Sequence, residues 1–270
     1  MTQMHCYIAV EGQQDILFLG RLIQTIGVPD VRNVEDISSV WKPLIDTRRL
    51  TEHQGLVSAG RNGLELHQLF SGVCFQNETH SIVVRKVGGR GKEFRRNLES
   101  FDSVLDGGLA SLNSVGLVPD ADDNPAAVRQ GCEAALRAVK LQVPFAQSNI
   151  FSGKPNTGIY ALPHPTVAGA VEELMLDCAE CVYPELHSGA FSFVDSIVKS
   201  SPSFTAGDLT EINGPRGRAK AAVGCISSYL KPGSTVQVSI LKDRWVSSNT
   251  ISLPRVAALV IFLKDLCGLQ

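Results

Sequence analysis

The sequence predicts an α/β fold in which a mainly parallel sheet is flanked by helices. Short apolar segments at residues 6–10, 81–87 and 114–119 have the length and character of buried strands. Each of them precedes a loop and a stretch whose apolar residues recur at helical spacing. Strands that alternate with helices favour parallel pairing, and such sheets bind ligands beyond the carboxyl ends of their strands.

The opening strand-loop-helix unit is the clearest. Its strand ends at Glu11-Gly12, and its helix begins near Asp15 and continues until Gly27. Further helices are predicted at residues 92–105, 125–140 and 166–182, and further strands at 31–37 and 158–162. Two more helical patterns occupy residues 216–230 and 253–266. The polar segment between them, residues 236–252, is predicted to be hairpin-like.

We expect one α/β domain over residues 1–230, with an insertion at 41–80 and a C-terminal extension at 231–270 packed on the same domain. A chain of 270 residues with 44% hydrophobic content is long enough to bury such a core. The insertion is inferred from its less regular pattern, which is rich in Gly, Thr, His and Gln.

Cysteine usage, apolar run length and charge indicate the expected environment. Seven cysteines, odd in number and scattered, suit a reducing compartment better than a disulfide framework. The longest apolar runs are far shorter than the roughly 20 residues that a bilayer requires, and the first residues lack the pattern of a secretory signal. We therefore expect a cytoplasmic protein without a membrane partner. The net charge of −2 gives no overall field for nucleic acid, so any contact must use local patches.

Four acidic residues follow two of the predicted strands. Glu11 and Asp15 are four apart, at a loop and a first helical turn, and Asp120 and Asp122 flank one residue after the strand at 114–119. Carboxylates that converge at buried strand ends are costly unless a cation compensates them, and hard oxygen ligands select Mg²⁺ or Mn²⁺. The pattern predicts a metal site for phosphoryl transfer, in which two ions hold the attacking and leaving oxygens.

These acidic segments resemble motifs of the TOPRIM (topoisomerase–primase) family. YIAVEGQQDILFL is similar to its first motif, a strand ending in Glu-Gly with an acid four positions further on, and GLVPDADDNP is similar to its Asp-x-Asp motif. The additional acid in the first motif resembles the nuclease branch, including overcoming-lysogenization-defect nucleases and stand-alone TOPRIM proteins of phage defence. The resemblance covers about residues 7–230 in order and implies a Rossmann-like TOPRIM sheet.

The resemblance also implies roles for individual residues. The catalytic and metal-binding acids would be Glu11, Asp15, Asp120 and Asp122. GIYALPHPTVAGAVEELML resembles the segment that supplies a second-metal ligand, which points to Glu172. RGRAKAAVGCISSYL is similar to a late basic helix and would place the transition-state lysine at Lys220, with Arg218 or Lys242 as alternatives. The implied activity is Mg²⁺- or Mn²⁺-dependent endonucleolytic cleavage of DNA or structured RNA such as tRNA.

The resemblance further implies regulated cleavage, because an uncontrolled nuclease endangers its host genome. The glycine-rich loop at residues 88–91 lacks the GxxxxGK[ST] spacing of a phosphate loop. Control would therefore come from a separate ATPase subunit in an antiphage system. A homo-oligomer is compatible with the same pattern.

Two groups of basic residues are candidates for contact with nucleic acid. The larger group places six positive charges within twelve residues, after a strand of the same sheet, where they could grip a phosphate backbone. Its members are Arg85, Lys86, Arg90, Lys92, Arg95 and Arg96. A smaller candidate grip consists of Arg216, Arg218 and Lys220.

Two alternative functions fit parts of the pattern. One is a TOPRIM module that binds protein or nucleic acid without cleaving it. The other is a phosphohydrolase of the haloacid-dehalogenase type, which also carries Asp-x-Asp after a strand. That chemistry usually has Thr or Val two residues after the second aspartate, where this chain has Asn124, and it leaves Glu11 unexplained.

Overall fold

The computed structural model describes residues 3–33, 35–45, 72–88, 92–145, 148–198, 204–214 and 216–270. Its architecture is α/β, with a mixed six-stranded sheet flanked by helices, which confirms the general fold class. The strands are β1 (Met4–Val10), β2 (Gly72–Gln76), β3 (His80–Lys86), β4 (Ser114–Val118), β5 (Ile150–Phe151) and β6 (Asn156–Ile159).

The strand order across the sheet is β2-β3-β1-β4-β6-β5. The four central strands, β3, β1, β4 and β6, run parallel, whereas β2 and β5 pair antiparallel at the two edges. The strands that carry the candidate acids therefore lie at the centre of the sheet. Their carboxyl ends meet at one edge, as parallel pairing requires.

Helices connect and cover these strands. Within the described residues they are α1 (Gln13–Thr25), α2 (Lys92–Val104), α3 (Pro125–Ala138), α4 (Val171–Val182), α5 (Pro184–Val198), α6 (Ala206–Ile212), α7 (Gly217–Leu230), α8 (Val236–Lys242) and α9 (Pro254–Cys267). Asn124 begins α3 by accepting a hydrogen bond from the Ala127 N–H at 3.0 Å, and Pro125 occupies the first turn, where its missing N–H costs nothing.

The core lies in two layers on opposite faces of the sheet. Side chains alternate along β1, so that Ile8 joins a layer with α1, α4, α7 and α9, while Tyr7 joins a layer with α2 and α3. Because both faces are covered, β1 reads as a continuous apolar run rather than an alternating one.

The C-terminal helix packs directly on the sheet. Gly116 of β4 and Gly158 of β6 face α9, and a Cβ atom at Gly158 would lie 2.8 Å from the Phe262 ring and 3.0 Å from Leu266. The absence of side chains at these two glycines lets α9 approach the strands closely. The segment predicted as a C-terminal extension thus supplies part of the core.

Two local predictions were wrong. Residues 31–37 do not form a strand: Asp30 makes an isolated bridge to Phe75, and the Val31 N–H donates to the Cys74 carbonyl. The segment at residues 236–252, which was predicted to be hairpin-like, begins instead with helix α8. The helix is held in place because Ile240 is buried in the core layer that contains α1, and because the Trp245 indole N–H donates to Ser239 Oγ at 2.8 Å.

Other elements were not predicted. Helix α5 was missed, and β2 lies inside the segment expected to be an insertion, where it forms an edge of the sheet. Residues 46–71 of that segment lie outside the described residues. In the part of the chain that is described, no helix is both long and apolar enough to cross a bilayer.

Substituting Gly158 by Ala tests the close packing of α9. We expect a loss of about 1–3 kcal/mol in the free energy of unfolding, because the added methyl group overlaps the Phe262 ring. The matched control is Gly189→Ala in α5, where a Cβ meets nothing within 4 Å, and which should gain up to about 1 kcal/mol from helix propensity. Urea titration measures both, and equal effects would contradict the packing described.

Candidate active site

The candidate acids lie at the carboxyl ends of two adjacent parallel strands. Val10 of β1 is in register with Val118 of β4, so Glu11 and Asp120 follow neighbouring strand ends. Asp120 lies within electrostatic range of Asp15, Glu172 and Glu11. The structure therefore brings together acids that are more than a hundred positions apart in the chain.

Asp15 is held at the start of α1. Its Oδ2 accepts the Gly12 N–H at 2.7 Å, which satisfies a donor at the helix N-terminus, and its side chain is only 2% exposed. Burial raises the pKa of Asp15 to about 6, and the charges of Glu172 and Glu11 add to the rise while the Gly12 hydrogen bond opposes it.

Backbone hydrogen bonds join the loop after β4 to the segment that leads into α4. Asp122 and Gly169 exchange two backbone hydrogen bonds of 2.8 Å, and Ala121 donates to the Leu162 carbonyl at 2.7 Å. Gly169 has φ +141°, and a Cβ there would lie 2.9 Å from Pro163, so glycine suits this close approach. These backbone hydrogen bonds hold the N-terminus of α4 next to the Asp-x-Asp loop.

This arrangement places Glu172 beside Asp120. The Val171 N–H at the start of α4 donates to Asp120 Oδ1 at 3.2 Å, and Glu172 is 5% exposed. The neighbouring Glu173 instead caps the helix by accepting the Ala170 N–H at 2.7 Å. Of the acid pair, Glu172 therefore belongs to the acidic cluster and Glu173 to the helix terminus.

Burial and mutual repulsion dominate the electrostatics of the cluster. Burial raises the pKa of Asp120 to about 8, and the charges of Asp15, Glu172 and Glu11 add to the rise, while Arg216 lowers it. Burial also raises the pKa of Glu172, against the opposing effect of the Lys220 charge. The three converging carboxyls thus bind protons more tightly than isolated ones. This is expected, because burial and nearby negative charges both disfavour the ionised form.

Arg216 supplies the positive charge closest to the paired aspartates. Its guanidinium donates to Asp122 Oδ1 and lies 3.8 Å from Asp120 Oδ2, with its side chain 16% exposed. Asp122 is itself buried and adopts φ 52°, a left-handed conformation that aspartate tolerates better than most residues. Arg216 was predicted as part of a basic grip, but its guanidinium contacts these two acids.

A cleft of about 320 Å³ opens beside the cluster on the α2 and α3 face. Glu11 reaches it, and the Glu11 charge contributes to the raised pKa of Cys132 in α3, which burial lifts to about 12. The cleft is lined by Glu11, Phe94, Pro119, Asp120, Asp122, Asp123, Asn124, Ala127, Val128, Gly131 and Cys132. Glu11 and Asp120 therefore connect the buried acids to a cavity large enough for a small ligand.

The donor set suits a hard divalent cation, but the side chains are not arranged as a ready cage. No group of three or more His, Cys, Asp or Glu residues among those described is close enough to hold an ion. Asp15 is bound to Gly12 and Asp122 to Arg216. Carboxylate oxygens nevertheless match the preference of Mg²⁺ and Mn²⁺, and the mutual repulsion would be relieved by a cation.

The predicted basic residues are dispersed. Lys220 is exposed on α7 and near enough to influence Glu172. Arg218 instead makes a two-point ion pair with Asp195 at 2.7 and 2.9 Å and stacks over Phe191.

The larger basic group is divided between the faces of the sheet. Arg85 lies over Phe101 of α2 at 5.1 Å, and Lys86, the next residue of β3, is exposed and lines a cleft beside α1. Arg95 pairs with Glu99 at 2.8 Å, and Arg96 is exposed on α2. Arg90 and the side chain of Lys92 lie outside the described residues.

Comparisons with known proteins add a family and a fold. A family model described as "Protein of unknown function (DUF3226)" matches residues 6–268. The chain is also similar to the crystal structure of a hypothetical protein from Pyrococcus horikoshii OT3, with 15% identity and a TM-score of 0.50 over 98% of this chain and 95% of that one. No curated protein matches. Neither description mentions TOPRIM or a nuclease, and the structural likeness shows a shared fold alone.

The raised pKa values predict that stability falls with pH. Folded Asp15 and Asp120 titrate near 6 and 8, above their ordinary value of 3.8, so the folded state binds more protons between about pH 4 and 8. The free energy of unfolding should therefore decrease across this window in chelator. Asp120→Asn, which keeps an acceptor for the Val171 N–H, should flatten the upper part of the decrease.

Asp106→Asn is the matched control for this experiment. Asp106 is exposed and lies outside the acidic cluster, so its removal should leave the pH profile unchanged. Denaturant unfolding across the pH window measures all three proteins. Parallel profiles for Asp120→Asn and the wild type would contradict the strong electrostatic coupling at this site.

Proposed function

This chain belongs to the DUF3226 family, and we propose from its acidic site that it is a metal-dependent nuclease that hydrolyses phosphodiester bonds. The observation that carries the proposal is the burial of Asp15, Asp120 and Glu172 within electrostatic range of one another, with Asp120 also lining a cleft. A cation bound among these carboxylates would compensate the negative charge that they assemble away from water.

The residues that would hold Mg²⁺ or Mn²⁺ are Glu11, Asp15, Asp120, Asp122 and Glu172. When bound, the cation supplies Lewis-acid stabilisation of a phosphate and activation of water. Arg216 contacts Asp122 Oδ1, so binding of a cation by this oxygen would have to displace the guanidinium, which could then donate to phosphate oxygens. Lys220 would add positive charge near Glu172.

The order of the acids supports a TOPRIM domain as the finer description of the fold. A glutamate follows the first parallel strand, paired aspartates follow the strand beside it, and a further acid opens the helix that packs against them. The resemblance alone extends the proposal to DNA or structured RNA as substrate, to control by a separate ATPase subunit and to a role in antiphage defence.

A second candidate function is a TOPRIM module that binds nucleic acid or protein without cleaving it. The ion pair between Arg216 and Asp122 favours it, because a guanidinium on a catalytic carboxylate already compensates part of the charge. The two candidates differ in whether a divalent cation binds at the cluster and in whether phosphodiester bonds are cut.

Replacing Glu11 by Gln should abolish cleavage. We expect wild-type protein with Mn²⁺ or Mg²⁺ to cut plasmid DNA or total tRNA, and Glu11→Gln to be slower by about a hundredfold or more, because a charged ligand is lost. Gel assays with metal and with chelator measure the rate. Glu180→Gln, an exposed acid on α4, is the control and should cut normally. Cleavage that survives chelation would reject the mechanism.

Metal binding itself can be measured without cleavage. Mn²⁺ should raise the melting temperature of the wild-type protein. When the ion is at a hundredfold excess over its dissociation constant, binding should add about 2.7 kcal/mol to the free energy of unfolding. Asp120→Asn should lose most of this shift, and the exposed-site variant Asp106→Asn should keep it. A wild-type melting temperature that does not respond to Mn²⁺ or Mg²⁺ would favour the non-catalytic module.

A further inference from the structure

A second and larger cleft, of about 1150 Å³, lies beside α1 on the other face of the sheet from the 320 Å³ cleft. Its walls come from α1, the turn that follows α1, the edge strand β2 and helix α8. We refer to it as the α1 groove. None of the candidate catalytic acids lines it, so it is a separate feature of the surface.

The charge of the α1 groove is strongly positive in an otherwise slightly acidic chain. Among the described residues that line it, four are cations, Arg21, Arg32, Lys86 and Lys242, and one, Asp30, is a carboxylate. Asp30 is paired with Arg32 at 3.1 Å, and Arg21 donates to Gln24 at 3.1 Å. Lys86 and Lys242 form no ion pair with another described residue, so their charges are available to an anion.

One end of the α1 groove reaches the acidic edge of the sheet. Lys86 is the last residue of β3 and is in register with Val10, which immediately precedes Glu11. Gln13, at the start of α1, lines the same end. A linear anion lying in the groove would therefore leave it beside the glutamate that opens the candidate active site.

We infer that the α1 groove binds the phosphate backbone of one nucleic-acid strand and leads it to the acidic cluster. The inference rests on the proposed function in taking nucleic acid as the substrate. From Gln13 to Gln24, α1 extends about 16 Å at 1.5 Å per residue. This length accommodates a short run of consecutive phosphates of a strand.

The lining of the groove also indicates which part of the nucleic acid it would contact. Its apolar surface is aliphatic, from Leu17, Val73 and Leu241, and no aromatic side chain is among the described residues that line it. These described residues offer a base no ring on which to stack, so we expect the cations to contact phosphates. Binding through the α1 groove is independent of sequence and strongly dependent on salt.

The test compares two double variants that remove the same charge. Lys86→Gln with Lys242→Gln removes both unpaired lysines of the groove. Lys154→Gln with Lys264→Gln is the control: Lys154 precedes β6, at the other side of the sheet from β2, and Lys264 lies in α9. Fluorescence anisotropy in chelator measures the affinity of each full-length protein for a labelled oligothymidine longer than the groove, over a range of salt concentrations. Melting temperatures verify that both variants fold.

The groove variant should bind about tenfold more weakly, and its plot of log affinity against log salt should be shallower by about 1.4, because two phosphate contacts are lost from a single strand. The control should match the wild type. Equal weakening in both double variants would overturn the inference. It would also be overturned if wild-type protein failed to bind the oligothymidine or tRNA but bound labelled polyglutamate, since the groove would then serve an acidic peptide.

A failure of groove binding can be distinguished from a failure of the proposed nuclease activity. Glu11→Gln should still bind the oligothymidine through the groove lysines, at least as tightly as the wild type in chelator, because the substitution removes a negative charge beside the end of the groove. Groove-dependent binding without any cleavage would leave the inference standing and reject the nuclease. Cleavage with an unchanged KM in the groove variant would reject the inference and keep the nuclease.

Discussion

The parallel pairing of β1 with β4 is the constraint on which the site depends. Their register sets Val10 beside Val118, and each strand is buried on both faces, so the chain can leave the sheet only at its edge. Glu11 and Asp120 follow at that edge, beyond the strand residues that both core layers cover. The burial that stabilises the sheet also removes water from the acids beyond it.

Burying these acids opposes folding, and the surrounding backbone and one arginine partly offset the cost. Gly12 donates to Asp15, Val171 donates to Asp120, and Arg216 contacts Asp122. Such a network is stable only while every member is present, since an unpaired buried charge costs several kcal/mol. Burial holds the pKa values of three of these carboxyls above their ordinary range, and relief of their mutual repulsion by a cation is the physical basis of the chemistry that we propose.

The sheet also separates the two clefts, which lie on its opposite faces. Alternation along β3 sends Arg85 toward α2 and Lys86 toward α1, so adjacent cations serve different sides. The 320 Å³ cleft lies on the first side and the α1 groove on the second, and both reach the edge near Glu11. The groove proposed to bind nucleic acid and the acids proposed to cleave it thus occupy different parts of a chain whose net charge is only −2.

The sequence by itself determined the strand-helix alternation and the positions of Glu11 and Asp120 after apolar strands, because burial and backbone periodicity are local properties. It could not assign residues 236–242, since VQVSILK fits a strand as well as a helix until Ile240 packs against the α1 layer. Only the tertiary structure decided that Arg216 contacts Asp122, that Gly169 exchanges backbone hydrogen bonds with the aspartate loop and that the Val171 N–H donates to Asp120. These contacts join residues far apart in the chain, and no local pattern encodes which side chains meet when the loops close.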